Sequence, residues 1–391
     1  MPTKQVNLSQ ASQQWATRPA DQRFASLREM LLATILHAQH SSETTVELNR
    51  SEVVVGADGN LMLKTPHTPD LTFSHWGFQQ FCNGVGSNAR YMRSLKTEPG
   101  RAAMNLNRDI AKNGETLGKS VLYIRNIGQP ELMSSTSTAY ARLFNHEMTQ
   151  AVIDLGSDWR LLPARPANDD DPNARPATAE DIGKSSRMEL GEMCVPSGAY
   201  ASAQNSFIFV VNENVGIDDG TDGGLKLGFF AENSEVGERV WALTTFLYRE
   251  VCGNHIVWDA SQIKQIRIKH MGDNMVGRMR DALNRQIETY RATDVDAYAA
   301  RIQKAMRSFL GTSFDDLSDT VFARKDIGLT RGAIKNAYAV AEQHVDTDGN
   351  PRSIWGFTQG LTRYSQMTNW QDARDELDKA ASRVLALVDA V

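Results

Sequence analysis

Cysteine is scarce in this chain. Only Cys82, Cys194 and Cys252 are present, with no Cys-x-x-Cys pair among them. An odd, scattered set supplies neither a disulfide framework nor a thiolate zinc site. No apolar run approaches the length of a membrane-spanning helix, and the opening stretch MPTKQVNLSQASQQW lacks the hydrophobic segment of a secretory signal. The expectation is a cytoplasmic protein that does not engage a membrane. An excess of positive charge is missing too: 42 Lys and Arg against 47 Asp and Glu leave a net charge of −5. That excludes a protein basic all over. It leaves room for a basic groove on an acidic body, because binding follows the local field. Gly-x-Ser-x-Gly and His-Glu-x-x-His are both absent, so no nucleophile and no zinc helix is marked locally.

Several near-motifs fail on inspection. NGETLGKS (113–120) has Asn113 where a phosphate loop needs glycine. Its surroundings read helix-loop-strand, whereas a phosphate cradle needs a helix N-terminus after the lysine. DTDGN (346–350) begins like a calcium loop but lacks the glutamate expected at the twelfth position, so it reads as a turn. His37 with His40, and Cys252 with His255, each offer half a metal site, with no acidic or cysteine partner nearby. No metal and no cofactor is expected.

What is present resembles an ordinary globular protein, with 41% hydrophobic and 23% charged residues over 391 positions. Phe24, Leu27, Leu31 and Ile35 recur at helical spacing. The runs TTVELNRSEVVV and NLMLKT flank Asp58-Gly59, a hairpin signal. Two short helices around Gly84 and Gly86 follow, then a helix opened by Pro99. KSVLYIRN (119–126) reads as a strand, and ELMSSTST leads into a helix ending near Gly156. Prolines 163, 166, 172 and 176 beside Asp169, Asp170 and Asp171 mark a long surface loop at 163–187. SFIFVVNE and LKLGFFAEN read as antiparallel strands. Residues 240–252 fit a helical face through Val240, Leu243, Leu247 and Val251, but Thr244, Thr245, Phe246 and Tyr248 tip them toward strand. IKQIRIKH (263–270) alternates. Beyond it, Met275, Met279, Leu283, Ile287 and Tyr290 form one helical stripe, and Ile302, Met306 and Phe309 another.

The expected class is α+β: a central antiparallel sheet over roughly 119–270, flanked by helices, with a helical C-terminal third. Three regions follow from the pattern: a helix-plus-hairpin module at 1–68, an α+β core at 69–272, and a helical region at 273–391.

The positive charge is unevenly placed. Arg90, Tyr91, Arg93 and Arg101 cluster; Lys264, Arg267, Lys269 and His270 lie on or beside one alternating segment, followed by Arg278, Arg280 and Arg285. Basic side chains tracking a groove, with Tyr91, Tyr123 or Trp258 for base stacking, are what single-strand binding requires. A solvated face laced with ion pairs is the competing explanation, since Asp281 and Glu288 interleave the later arginines.

Four segments carry a family resemblance: HWGFQQFCNGVGSNARYMRSL, YIRNIGQPELMSSTSTAYARLFNHEM, FFAENSEVGERVWALTTFLYREVCGNHIVWD and SIWGFTQGLTRYSQMTNWQDARDELDKAASRVL. Together they resemble an uncharacterised phage/plasmid-like family, domain of unknown function nine hundred and thirty-two, over roughly residues 70–388. The most specific positions are Asn233, Ser234 and Glu235; Arg249, Cys252 and Asn254; and Trp355 with Thr362 and Tyr364. Members often carry Gly or Thr after the Cys-x-Asn step, where this chain has His255. The resemblance implies a mobile-element protein acting in a bacterial host, and brings no catalytic residues with it. The layout is also loosely similar to phage single-strand annealing proteins of the Red-beta and Erf type, which hold DNA in a basic groove on a sheet backed by helices and assemble into rings or filaments.

The leading expectation is therefore a non-enzymatic, homo-oligomeric protein that binds single-stranded nucleic acid in recombination or replication. Arg267 and Lys269 would contact phosphate, Lys264, Arg90, Arg93 and Arg278 would assist, and Ser/Thr 134–138 would add hydrogen bonds. One alternative is a protein-interaction or self-assembling factor, to which the acidic balance and the acid-rich loops 167–172 and 213–222 would suit. Another is an enzyme with a dispersed site using Cys252 and His255.

Overall fold

The structure is a computed structural model that describes residues 23–24, 26–161, 199–202, 204–217, 224–249, 255–256, 266–292, 295–367, 377 and 380–389. It is α+β, with two sheets and a helical C-terminal region.

The first part of the chain opens with β1 (Arg23–Phe24) and α1 (Leu27–Gln39). Ser26 starts this helix by accepting a hydrogen bond from the Glu29 N–H at 3.1 Å. Strands β2 (Ser41–Glu47), β3 (Glu52–Val55), β4 (Leu61–Lys64) and β5 (Leu71–Phe73) follow. The turn at Asp58-Gly59 closes the β3–β4 hairpin, with Gly59 in the left-handed region at φ 81°. Helices α2 (His75–Gly84), α3 (Ala89–Ser94) and α4 (Pro99–Asn113) come next, and Pro99 holds the expected first-turn position. Then come β6 (Lys119–Arg125) and β7 (Glu131–Ser137).

These strands form a six-stranded sheet in the order β2-β6-β7-β5-β4-β3, antiparallel except where β5 runs parallel to β7. Leu63, Leu71, Leu122, Ile124 and Leu132 from the sheet share a core with Phe78, Phe81, Leu106 and Ile110 from the helices. Residues 119–137 thus belong to a different sheet from residues 199–268, where alternation alone placed them together. Alternation identifies a strand and its buried face; it does not identify the neighbour.

Helix α5 (Asn145–Ile153) leads to the second sheet, built from β8 (Trp159–Leu161), β9 (Ala199–Ala201), β10 (Ser206–Ile217), β11 (Leu225–Asn233), β12 (Trp241–Arg249), β13 (His255–Ile256) and β14 (Ile266–Ile268). Its order is β1-β9-β10-β11-β12-β13, with β8 beside β10 and β14 beside β12, and every pairing is antiparallel. Residues 241–249 are a strand, as their Thr and aromatic content suggests.

Ile208, Val210, Leu227, Phe229, Trp241 and Leu243 point from this sheet into a second core. It is filled from α6 (Met275–Arg291) by Met275, Met279, Leu283 and Ile287 and from α7 (Val295–Arg307) by Ile302. Met306 is half-buried, while Phe309 is exposed. Helices α8 (Phe314–Ala323), α9 (Arg331–Gln343), α10 (Val345–Asp348) and α11 (Ile354–Met367) complete the region, with Trp355, Phe357 and Leu361 of α11 in the same core. The opposite face of the sheet carries Tyr200, Phe207, Phe209 and Phe230, all fully buried, with the Phe209 and Phe230 rings stacked at 5.0 Å.

Among the described residues no helix is long and apolar enough to cross a membrane.

Candidate functional site

The β11–β12 turn is where the two sheets meet. It contains Asn233, Ser234 and Glu235, and it enters a socket made by α2, β6, β7 and the segment leading into α5. Trp76 Nε1 and Gln80 Nε2 on α2 both donate to the Val236 carbonyl, at 2.9 and 2.8 Å. Gln80 is held in turn by β7, whose Ser135 N–H donates to Gln80 Oε1 at 2.9 Å. Helix α2 can lie this close to β7 because residue 77 is glycine: a Cβ there would stand 2.2 Å from the Leu132 carbonyl oxygen. Tyr140 Oη donates to the Ser234 carbonyl at 3.0 Å. Asn233 donates to the Leu143 carbonyl and to Asn145 Oδ1, both at 2.9 Å, and Val236 packs with Tyr123 and Met133.

Glu235 and Arg142 form the centre of this clamp. The Asn145 N–H donates to Glu235 Oε1 at 2.6 Å, and Tyr123 Oη donates to Oε2 at 3.2 Å. Both neighbours are donors, which suits a carboxylate that only accepts. Desolvation pushes the Glu235 pKa up, and the Asn145 and Tyr123 hydrogen bonds and the Arg142 charge oppose that rise. The Arg142 side chain is only 3% exposed. It bonds to the Glu235 carbonyl, pairs with Glu43 at 2.6 Å, and lies over the Tyr123 and Tyr140 rings at 4.1 and 5.3 Å. Burial raises the pKa of both tyrosines. The buried His270 ring stacks on Tyr140 at 5.2 Å, and among the described residues neither ring nitrogen has a hydrogen-bond partner. Burial lowers its pKa to about 4; the Ala141 backbone opposes this, and the charges of Arg142 and Arg278 add to it.

The residues expected to bind nucleic acid divide between the two sheets. Arg90 and Arg93 stand on α3, beside the six-stranded sheet. Arg90 is exposed and has no salt bridge among the described residues, whereas Arg93 donates to the His75 carbonyl at 2.7 Å and lies over Phe78. Arg101 pairs with Glu98 at 3.3 Å. On the eight-stranded sheet, Arg267 is exposed on β14 and Lys269 just beyond it, and neither has a salt bridge among the described residues. Arg278 is half-buried and donates to the Met271 carbonyl, so its guanidinium holds the loop before α6. Arg280 pairs with Asp154 at 2.7 Å, and Arg285 lines an open groove of mixed charge with Asp281 and Glu288. Lys264, Cys252, Asn254 and Trp258 lie outside the described residues, as do the side chains of Arg249 and His255. Trp355 is fully buried at the start of α11.

Tyr123 is 4% exposed and committed to Glu235, which removes it as a stacking platform; Tyr91 is 45% exposed. Ser134 is buried, and Ser135 turns toward Ser120 at 2.8 Å, leaving Ser137 and Thr138 as the exposed hydroxyls of that run.

Sequence reasoning missed one group. Glu232 on β11 is 3% exposed, 3.8 Å from Arg239. It stands opposite Ala242 on β12, which stands opposite Arg267 on β14. All three therefore share a sheet face. Burial pushes the Glu232 pKa up to about 7 against the charges of Arg239 and Arg267. A lone glutamate in a strand otherwise reading LKLGFFAEN was the visible signal.

The near-motifs resolve structurally. Asn113 ends α4, and a short turn delivers Lys119 to β6, so no helix follows the lysine. Asp348 of DTDGN is buried against Arg363 at 2.9 Å. Burial pushes the Cys82 thiol up to about 12. No group of three or more His, Cys, Asp or Glu side chains among the described residues is placed to hold a metal ion.

Comparison with protein-family models, curated proteins and solved structures finds no match.

Proposed function

We propose that this protein binds single-stranded nucleic acid without chemically changing it, in the recombination or replication of a phage or plasmid. The observation that carries this reading is the pair Arg267 and Lys269. They stand two residues apart at a sheet edge, both exposed and, among the described residues, without a salt bridge, beside half-buried Ile266 and Ile268. Alternation sends both basic groups to one face about 7 Å apart, as successive phosphate contacts require. Exposed Arg90 next to exposed Tyr91 adds a cation and a stacking ring. An antiparallel sheet backed by helices also agrees with the likeness to phage annealing proteins and the phage/plasmid-like family, and that kinship is part of the proposal.

The test is fluorescence anisotropy of a labelled single-stranded oligonucleotide at several salt concentrations, with duplex as control. Binding should be micromolar or tighter and fall steeply with salt. Arg267→Glu with Lys269→Glu should weaken it at least tenfold and reduce the magnitude of the salt slope by about 2. Unchanged binding in that double variant sinks the assignment.

A second reading, self-assembly, is favoured by Leu32 and Leu36, 61% and 52% exposed one turn apart on α1. Sedimentation in the absence of nucleic acid separates the two: oligomers that form without it and bind none would support assembly alone.

A further inference from the structure

Glu232 and Arg239 form an ion pair that is only loosely made. Their 3.8 Å separation is too long for a hydrogen bond. Glu232 Oε2 and Arg239 Nε are both buried without a hydrogen-bond partner among the described residues. Two charged groups this close normally close the gap, since an unsatisfied buried charge is costly. Arg239 is instead drawn toward the Phe207 ring, its guanidinium carbon 6.0 Å from the centroid. Its side chain remains 22% exposed, so an arriving anion can reach it. The other groups around Glu232 are Phe207 on β10, Ala242 on β12 and Arg267 on β14. Nearby Glu238 is taken by Asn205, whose Nδ2 donates to it at 2.9 Å. The charges of both arginines of this face, Arg239 and Arg267, act on Glu232.

We propose that Arg239 is a second phosphate-binding residue beside Arg267, held in reserve by Glu232, and that docking of an anionic backbone on this face is coupled to uptake of one proton by Glu232. The exchange is balanced. The phosphate replaces the carboxylate as partner of the guanidinium, and the carboxylate, now buried without that partner, takes a proton from the conjugate acid of the buffer, which is left as its base. The elevated Glu232 pKa puts this proton within physiological range. The inference rests on the nucleic-acid reading and adds to it the pair Arg239 and Glu232 and a direction of pH dependence.

The experiment is oligonucleotide anisotropy from pH 5.5 to 8.5 at fixed ionic strength, with wild type, Glu232→Gln and Arg239→Ala. Wild type should tighten roughly three- to tenfold as pH falls through 7, the effect of removing one negative charge near the two cations. Glu232→Gln should bind at every pH as wild type does at low pH. Arg239→Ala should bind more weakly, with a salt slope smaller in magnitude by about 1. Calorimetry in buffers of different ionisation enthalpy should show wild type taking up a fraction of a proton at pH 7, a readout that needs no variant. Tight binding with no pH dependence, or with no proton uptake, overturns this inference and leaves the nucleic-acid reading standing. An Arg239→Ala variant that binds like wild type removes Arg239 from the site. Absence of binding at any pH overturns the reading and the inference together.

Discussion

Replacing Arg142 with alanine is expected to lower the unfolding free energy by roughly 3 kcal/mol in chemical denaturation. The guanidinium lies almost wholly inside the clamp, between the rings of Tyr123 and Tyr140, and bonds to the Glu235 carbonyl. Its loss leaves the Glu235 carboxylate without a nearby cation, which costs far more than loss of an exposed ion pair. Glu43 is exposed and should suffer little from losing the same partner. Arg142→Lys should recover only part of the loss, because an ammonium cannot reproduce the planar fork. A double-mutant cycle with Glu235→Ala should give a coupling above about 1 kcal/mol. Strict additivity, or an Arg142→Ala variant as stable as wild type, would show that the clamp is not the joint described here.

Two buried titratable groups should act on stability in opposite directions. His270 has its pKa depressed to about 4 in the folded chain. Its contribution is present above the ordinary histidine value and is lost as pH falls through 4. Glu232 has its pKa raised to about 7. Its contribution is present below the ordinary glutamate value and is lost as pH rises through 7. Each full swing is on the order of 3 kcal/mol. Between about pH 4.5 and 6.5 the two slopes oppose each other. Wild type should therefore show a shallow melting profile in that window, the sum of two steep ones. Glu232→Gln should uncover a fall in melting temperature on acidification. His270→Phe, which keeps a ring against Tyr140, should uncover the reverse. If His270→Phe keeps the shallow profile of wild type, His270 is not the acid-sensitive group.

Local features were legible in the sequence because they have local causes. Asp58-Gly59 gave its hairpin away through the need for a positive φ, and Pro99 its helix start through its fixed φ. The stripe Met275, Met279, Leu283 and Ile287 marked the buried face of α6. Residues 241–249 were decided for strand by β-branched and aromatic content. What stayed hidden depends on long separations. Nothing local says that residues 119–125 pair with 41–47, or that Tyr123 gives its hydroxyl to Glu235 instead of its ring to a base. Asn233, Ser234 and Glu235 stood out through a family resemblance, but their partners lie far away in the chain. The charge pattern located basic residues without telling the exposed Arg267 from Arg278, which is spent on a backbone carbonyl.

The clamp also bears on how the chain reaches its native state. The bonds from Trp76 and Gln80 to Val236 span 160 and 156 residues. On the ribosome, the first sheet can assemble from residues 41–137 well before the turn that fills its socket has been made. During that interval the Trp76 and Gln80 donors that serve the Val236 carbonyl have only water to satisfy them. Contacts of such separation form late and slow folding, so insertion of the turn should be a closing step of biogenesis. A chain truncated before residue 233 would leave the socket open, with apolar and cationic surface available to chaperones and to other nascent chains.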